Sequence, residues 1–182
     1  MSILKVARMG HPVLRAKARP LEKSELRTAS MQKLIDDMLD TMREYHGVGL
    51  AAPQIHEGLR LFVALLDSGD DDDDARRAPP EPIAIINPEI TIVDPTVVED
   101  WEGCLSIPDI RGRVPRAREI KVRALDRQGG RMELRAHGFP ARVIMHETDH
   151  LDGVLFFDRM KSFESLAFME EYRRYSSAED TE

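Results

Sequence analysis

The sequence predicts an α+β fold in one domain: short, mostly antiparallel strands around a central helix, with helices towards both ends. Three observations carry that expectation. A long amphipathic stripe lies near the N-terminus, short strand-like runs fill the middle of the chain, and a second helical pattern follows them. At 182 residues the chain is long enough for one domain, and its 42% apolar content is enough for one core.

The stripe is Met31, Leu34, Ile35, Met38, Leu39, Met42 and Tyr45, recurring at three- and one-residue steps as one helix face requires. Thr28 or Ser30 can cap its start and Gly47 its end. Its methionines read as core packing. Strand candidates follow at Arg60 to Leu66, Ile83 to Ile86, Glu89 to Val93 and Thr96 to Trp101, and Pro108 is expected to end a further strand. Glu119 to Leu125 and Arg131 to Ala136 flank the turn Arg127-Gln128-Gly129-Gly130, a hairpin signal. Pro140 to Leu151 is expected to be the central, metal-binding helix, with Pro140 in its first turn and Gly153 at its exit. Residues 162–175 are expected to form a C-terminal helix and 176–182 a disordered tail.

Net charge is −7, but Asp67 and Asp70 to Asp74 account for most of it; without those six the balance is 26 basic to 27 acidic residues. Residues 67–82 therefore read as an acidic, mobile loop, not as part of a charged binding face. No direct reader of nucleic acid is expected, because no basic field exists and aromatic residues make up only 5%. No apolar run is long enough for a transmembrane helix. A single cysteine excludes an internal disulfide and fits a reducing compartment. Five basic residues precede the first acid, Glu22, yet Pro12 and Pro20 interrupt any amphipathic targeting helix, so Met1 reads as the start of the working protein.

The most informative string is His146-Glu147-Thr148-Asp149-His150. On a helix, residues four apart share a face, so His146 and His150 can present two imidazoles to one metal ion. Glu147 lies about 100° round the helix, placed to handle a proton without being a ligand. Catalytic sites of this type take three protein ligands and leave one position open. Spacing alone leaves two candidates for the third, Cys104 and Glu170. Glu170 would make the chain a zinc peptidase.

A further segment, Gly47-Val48-Gly49-Leu50-Ala51-Ala52-Pro53-Gln54, joins a helix end to a strand. Together with Glu102-Gly103-Cys104-Leu105-Ser106 and His146 to His150, in this order, it closely resembles the peptide deformylases. Ile3 to Pro20 and Ser106 to Arg116 extend the resemblance. It implies Cys104, His146 and His150 as ligands of one divalent ion, Fe²⁺ first, with Zn²⁺, Ni²⁺ or Co²⁺ as alternatives that the same donors suit. The implied reaction removes formyl from the N-terminal formyl-methionine of nascent polypeptides and releases formate.

On the same resemblance Glu147 is the acid–base, while the Gln54 amide and the Leu105 backbone N–H donate to the developing oxyanion. The backbone of Gly49 and the side chain of Arg111 hold the peptide, and Val48 and Val143 shape the methionine pocket. Glu102 and Arg116 are expected to pair, and Asp149 to orient a ligand. Met145 stands where the family commonly has Gln, His56 where it has Gly, and the acidic loop is longer than is typical. The alternatives are a hydrolase of another N-acyl amine, the Glu170 zinc peptidase, and a non-catalytic peptide- or ribosome-binding module. The implied compartment is the bacterial cytoplasm, with an organelle as the alternative. Lys161 to Glu182 carries three basic and six acidic residues, which speaks against docking on the electronegative ribosome.

Overall fold

The computed structural model describes residues 2–66 and 81–176; most of the acidic stretch expected to be a mobile loop, and all of the tail expected over 176–182 except Ser176, lie outside them. In chain order the elements are α1 (Lys23–Leu26), α2 (Ala29–Glu44), β1 (Gly49–Ala51), β2 (Leu61–Ala64), β3 (Ile83–Cys104), β4 (Ile107–Leu125), β5 (Arg131–His137), α3 (Gly138–Leu151), β6 (Ala167–Phe168) and α4 (Met169–Glu171). The strands form one antiparallel sheet in the order β1-β2-β3-β4-β5, and β6 pairs with the other half of β4. The α+β expectation holds.

Helix α2 begins where a cap is available: the Thr28 hydroxyl accepts the Met31 N–H at 3.3 Å. Its stripe of Ile35, Met38 and Met42 packs on Leu50, Leu61, Val63 and Ile86. The alternate residues of β2, Phe62 and Ala64, point the other way and meet Ala141, Val143, Ile144 and Leu151 of α3. The sheet is thus held between two helices, and β2 is apolar throughout because both its faces are buried.

Two expectations need correction. The three separate strands expected between Ile83 and Trp101 are a single strand, β3, whose register shifts at Ile86/Glu89, Ile92/Asp94 and Asp94/Val97. Pro88 and Pro95 fall within these irregularities, where a missing N–H is tolerated, so they bend the ladder without ending it. Pro108 likewise does not stop a strand: β3 turns at Leu105-Ser106 and Pro108 is the second residue of β4.

The second correction concerns the C-terminal helix expected over 162–175. Serine side chains here bond locally or to the sheet: the Ser162 hydroxyl accepts the Glu164 N–H, and the Ser165 hydroxyl accepts the Arg113 N–H. Ala167 and Phe168 then join the open edge of β4, opposite Arg111 and Ile110. Only Met169–Glu171 and the wider turn Tyr172–Ser176 are helical. Among the described residues, no helix is long and apolar enough to cross a membrane.

Candidate metal centre and its cleft

Helix α3 carries His146 and His150 one turn apart, their ring centroids separated by 5.0 Å. Cys104 comes from the last position of β3, presented by the tight turn into β4, and its sulfur lies 3.2 Å from His150 Nε2. One donor atom from each of these three residues lies within 4.8 Å of the others, the one such group of His, Cys, Asp or Glu among the described residues. Glu170 is not part of it. That side chain is 79% exposed and pairs with Arg174, so the arrangement a Glu170 zinc peptidase needs is absent among the described residues.

Beneath the histidines lies a buried polar network. Glu102 Oε2 sits 2.8 Å from His146 Nδ1, which places the proton there and turns Nε2 towards Cys104 and His150. The same carboxylate accepts from Arg116 at 2.8 and 3.0 Å and from Arg142 at 2.9 Å. Arg116 also donates to Asp149 at 2.6 Å, and Asp149 accepts in turn from Arg159 at 2.7 Å. The expected Glu102–Arg116 pair is present. Asp149 meets Arg116 and Arg159 and reaches His146 through Arg116 and Glu102, while Nδ1 of His150 is buried without a hydrogen-bond partner.

The charges of this group follow from their neighbours. Burial pushes the Glu102 carboxyl up, but Arg116 and His146 outweigh it and hold the group at about 2. Burial raises the Cys104 thiol too, yet the imidazoles of His150 and His146 prevail and bring it well below its ordinary value. Glu147 differs: burial dominates over the two histidines and pushes its carboxyl up to about 7. A carboxyl poised there can both take and give a proton near neutral pH.

The seat of Glu147 explains a glycine. A Cβ built on Gly49 would lie 2.3 Å from Glu147 Oε1, so only a residue without a side chain lets the carboxylate lie against β1. The other oxygen, Oε2, is buried and has no hydrogen-bond partner. Gln54 is oriented by its own loop. Its Oε1 accepts the Ala51 N–H at 2.8 Å, which aims Nε2 at the Cys104 sulfur (3.4 Å) and the Ser106 hydroxyl (3.3 Å).

These residues share one cleft of about 520 Å³. Gly49, Gln54, Cys104, Leu105, His146 and Glu147 line it; so do Val48, which is exposed, Val143, which is buried, and Arg111. Every residue expected to be catalytic or to contact substrate therefore borders the same space, as do the candidate ligands Cys104 and His146; His150 is not among the lining residues. The sequence reading missed the contact of Glu102 with His146, and missed Arg142 and Arg159. Signals existed for two of them: Glu102 stands two residues before Cys104 on one strand face, and Arg142 one helical turn before His146.

The residues fit a divalent ion. A sulfur with its thiol pulled down and two imidazoles, one with its tautomer fixed, are the donors a borderline-soft cation takes, and the partnerless oxygen of Glu147 lies beside them. Fold and site thus define a metal-dependent hydrolase of the His-Glu-x-x-His type, with a cysteine as the third candidate ligand.

A model of the polypeptide deformylase family matches residues 3–165. Peptide deformylase 2 of Nostoc sp. is 42% identical over 179 residues, covering 94% of this chain and 93% of its own. The class I type b peptide deformylase of Acinetobacter baumannii, in its crystal structure with Met-Ala-Ser bound, superposes with a TM-score of 0.78 at 37% identity, covering 87% of this chain and 99% of that one. The peptide deformylase of Thermus thermophilus gives a TM-score of 0.76 at 40% identity, over 98% and 95% of the two chains. The chain belongs to the polypeptide deformylase family, and its activity is that of these hydrolases of protein biosynthesis.

Proposed function

We propose that the chain removes the formyl group from N-terminal formyl-methionine of nascent polypeptides, releasing formate, through one divalent ion held by Cys104, His146 and His150. One observation carries this reading: three donors lie within 4.8 Å of one another, and two of them, Cys104 and His146, line a cleft together with Glu147, one oxygen of which is buried without a partner. The ion supplies Lewis acidity, polarising an oxygen and making water acidic enough to attack near neutral pH. Fe²⁺ is the proposed native ion, with Zn²⁺, Ni²⁺ and Co²⁺ suited to the same donors.

The residues supply the rest. Glu147 takes a proton from the attacking water as the oxygen bonds to the formyl carbon. It returns that proton to the amine nitrogen as the C–N bond breaks, leaving formate and a free methionyl amine. Negative charge gathers on the former carbonyl oxygen, and the Gln54 Nε2 donor and the Leu105 N–H stabilise it. Gln54 costs little to reorganise for this role, since the Ala51 N–H already fixes its amide. Val48 and Val143 form the walls for the methionine side chain, and Gly49 and Arg111 bind the peptide main chain. The reaction belongs in the cytoplasm, where nascent chains emerge; docking on the ribosome is not supported by the acidic C-terminal stretch.

Formate release from formyl-Met-Ala-Ser by anaerobically prepared, Fe²⁺-loaded protein tests the proposal. Turnover should fall by about 10²–10⁴ in Glu147→Gln while metal content is unchanged. A fully metallated wild type that releases no formate from this peptide, but cleaves another N-acyl amine, would overturn the substrate assignment.

A further inference from the structure

The family match ends at residue 165, yet the chain beyond it returns to the cleft. Ala167 and Phe168 pair with Arg111 and Ile110, and Met169 and Arg173 line the same space as Cys104. Between them, the Tyr172 ring lies 5.5 Å from the guanidinium carbon of Arg111 and 4.7 Å from the ring of Trp101. Arg111 crosses the backbone of Gly103, with its Nε 3.7 Å from where a Cβ would stand there. That Nε is buried and has no acceptor, although its side chain borders the cleft beside Cys104. A buried donor left unpaired carries a desolvation cost, which a nearby acceptor would relieve.

We propose that Tyr172 is a positioning residue for peptide binding. Its ring stacks on the Arg111 guanidinium and fixes this long side chain at the cleft before substrate arrives, so that the guanidinium meets the main chain beyond the methionine. The segment after residue 165 thereby becomes part of the peptide-binding wall. Two physical effects support the assignment: a cation over an aromatic face is held electrostatically, and a side chain ordered in advance loses less freedom on binding. The inference rests on the deformylase reading for its substrate, but the geometry that carries it, Tyr172 on Arg111 beside the cleft, is independent of the reaction.

The test compares wild type, Tyr172→Leu and Tyr172→Phe with formyl-Met-Ala-Ser and with N-formylmethioninamide, which has no residue after methionine. Leucine keeps an apolar side chain and loses the ring face, so KM for the tripeptide should rise about three- to tenfold with kcat within about twofold, while the amide is handled as by wild type. Phenylalanine should restore the tripeptide KM. An unchanged tripeptide KM in Tyr172→Leu, equal losses for both substrates, or no rescue by phenylalanine would each overturn the proposal. If the wild type turns over neither substrate, the deformylase reading has failed. Binding of Met-Ala-Ser, followed by emission of Trp101, the chain's single tryptophan, then decides the positioning role: weaker in Tyr172→Leu for it, equal against it.

Discussion

The floor of the cleft and its rim are built on opposite terms. The floor is a closed set of charges: Glu102, Arg116, Arg142, Asp149 and both histidines are buried, and the carboxylates each receive two arginines. The rim is made of Val48, Arg111 and the segment from Ala167 to Arg173, whose contacts are edge pairing and ring stacking at half-exposed positions. Buried charges can be retained only if every partner is in place, so the floor fixes one geometry. The rim can change residue by residue at small cost, which suits the peptide-binding role proposed for it.

The difference can be broken most severely at Glu102. Replacing it by alanine removes the partner of Arg116, Arg142 and His146 together, with an expected loss of about 3–5 kcal/mol in urea unfolding and a metal affinity about 10–100-fold weaker in chelator competition. Stability equal to wild type would show that the network is not the floor's support. Next is Gly49→Ala, where the new methyl group collides with Glu147. Here kcat should drop about 10²-fold with metal content and unfolding midpoint nearly unchanged, and an unaltered kcat would mean that Glu147 can work from another seat. Arg159 marks the boundary of the floor, since its side chain is 49% exposed. Arg159→Ala should cost about 1 kcal/mol or less and leave kcat as it is. The smallest effect is expected at Val48, 43% exposed on the rim. Val48→Ser should leave stability within about 0.5 kcal/mol and raise KM about two- to fivefold, from roughly 0.5–1 kcal/mol of lost apolar contact.

The two regions also differ in how far the chain announces them. Helical spacing alone puts His146 and His150 on one face, and the stripe from Met31 to Tyr45 with Thr28 before it gives α2 nearly to its ends. These are local signals, and local signals survive in a sequence. Cys104 is different: spacing left it level with Glu170, and only the resemblance to the deformylases chose it. The long β3 was legible in pieces, because Asn87-Pro88 and Asp94-Pro95 look like strand ends until the partner strand absorbs them as irregularities. The C-terminal segment was misread as a helix because its fate depends on an unpaired edge of β4 far back in the chain. No periodicity in residues 162–175 could reveal that edge. The contact between Glu102 and His146 is likewise non-local, although the two-residue step to Cys104 hinted at it.

The three donors of the proposed metal centre come from the tip of a hairpin and from a helix that is reached only after another strand has been laid down. In the unfolded chain they are strangers, and no strong site exists until the hairpin and α3 have docked. An ion bound there is then a clasp between two parts of the molecule, doing for a chain with one cysteine what a disulfide does elsewhere. Uptake of the ion and stability of the fold are then linked, so a rising free-metal concentration adds to the stability of the folded chain as it loads the site.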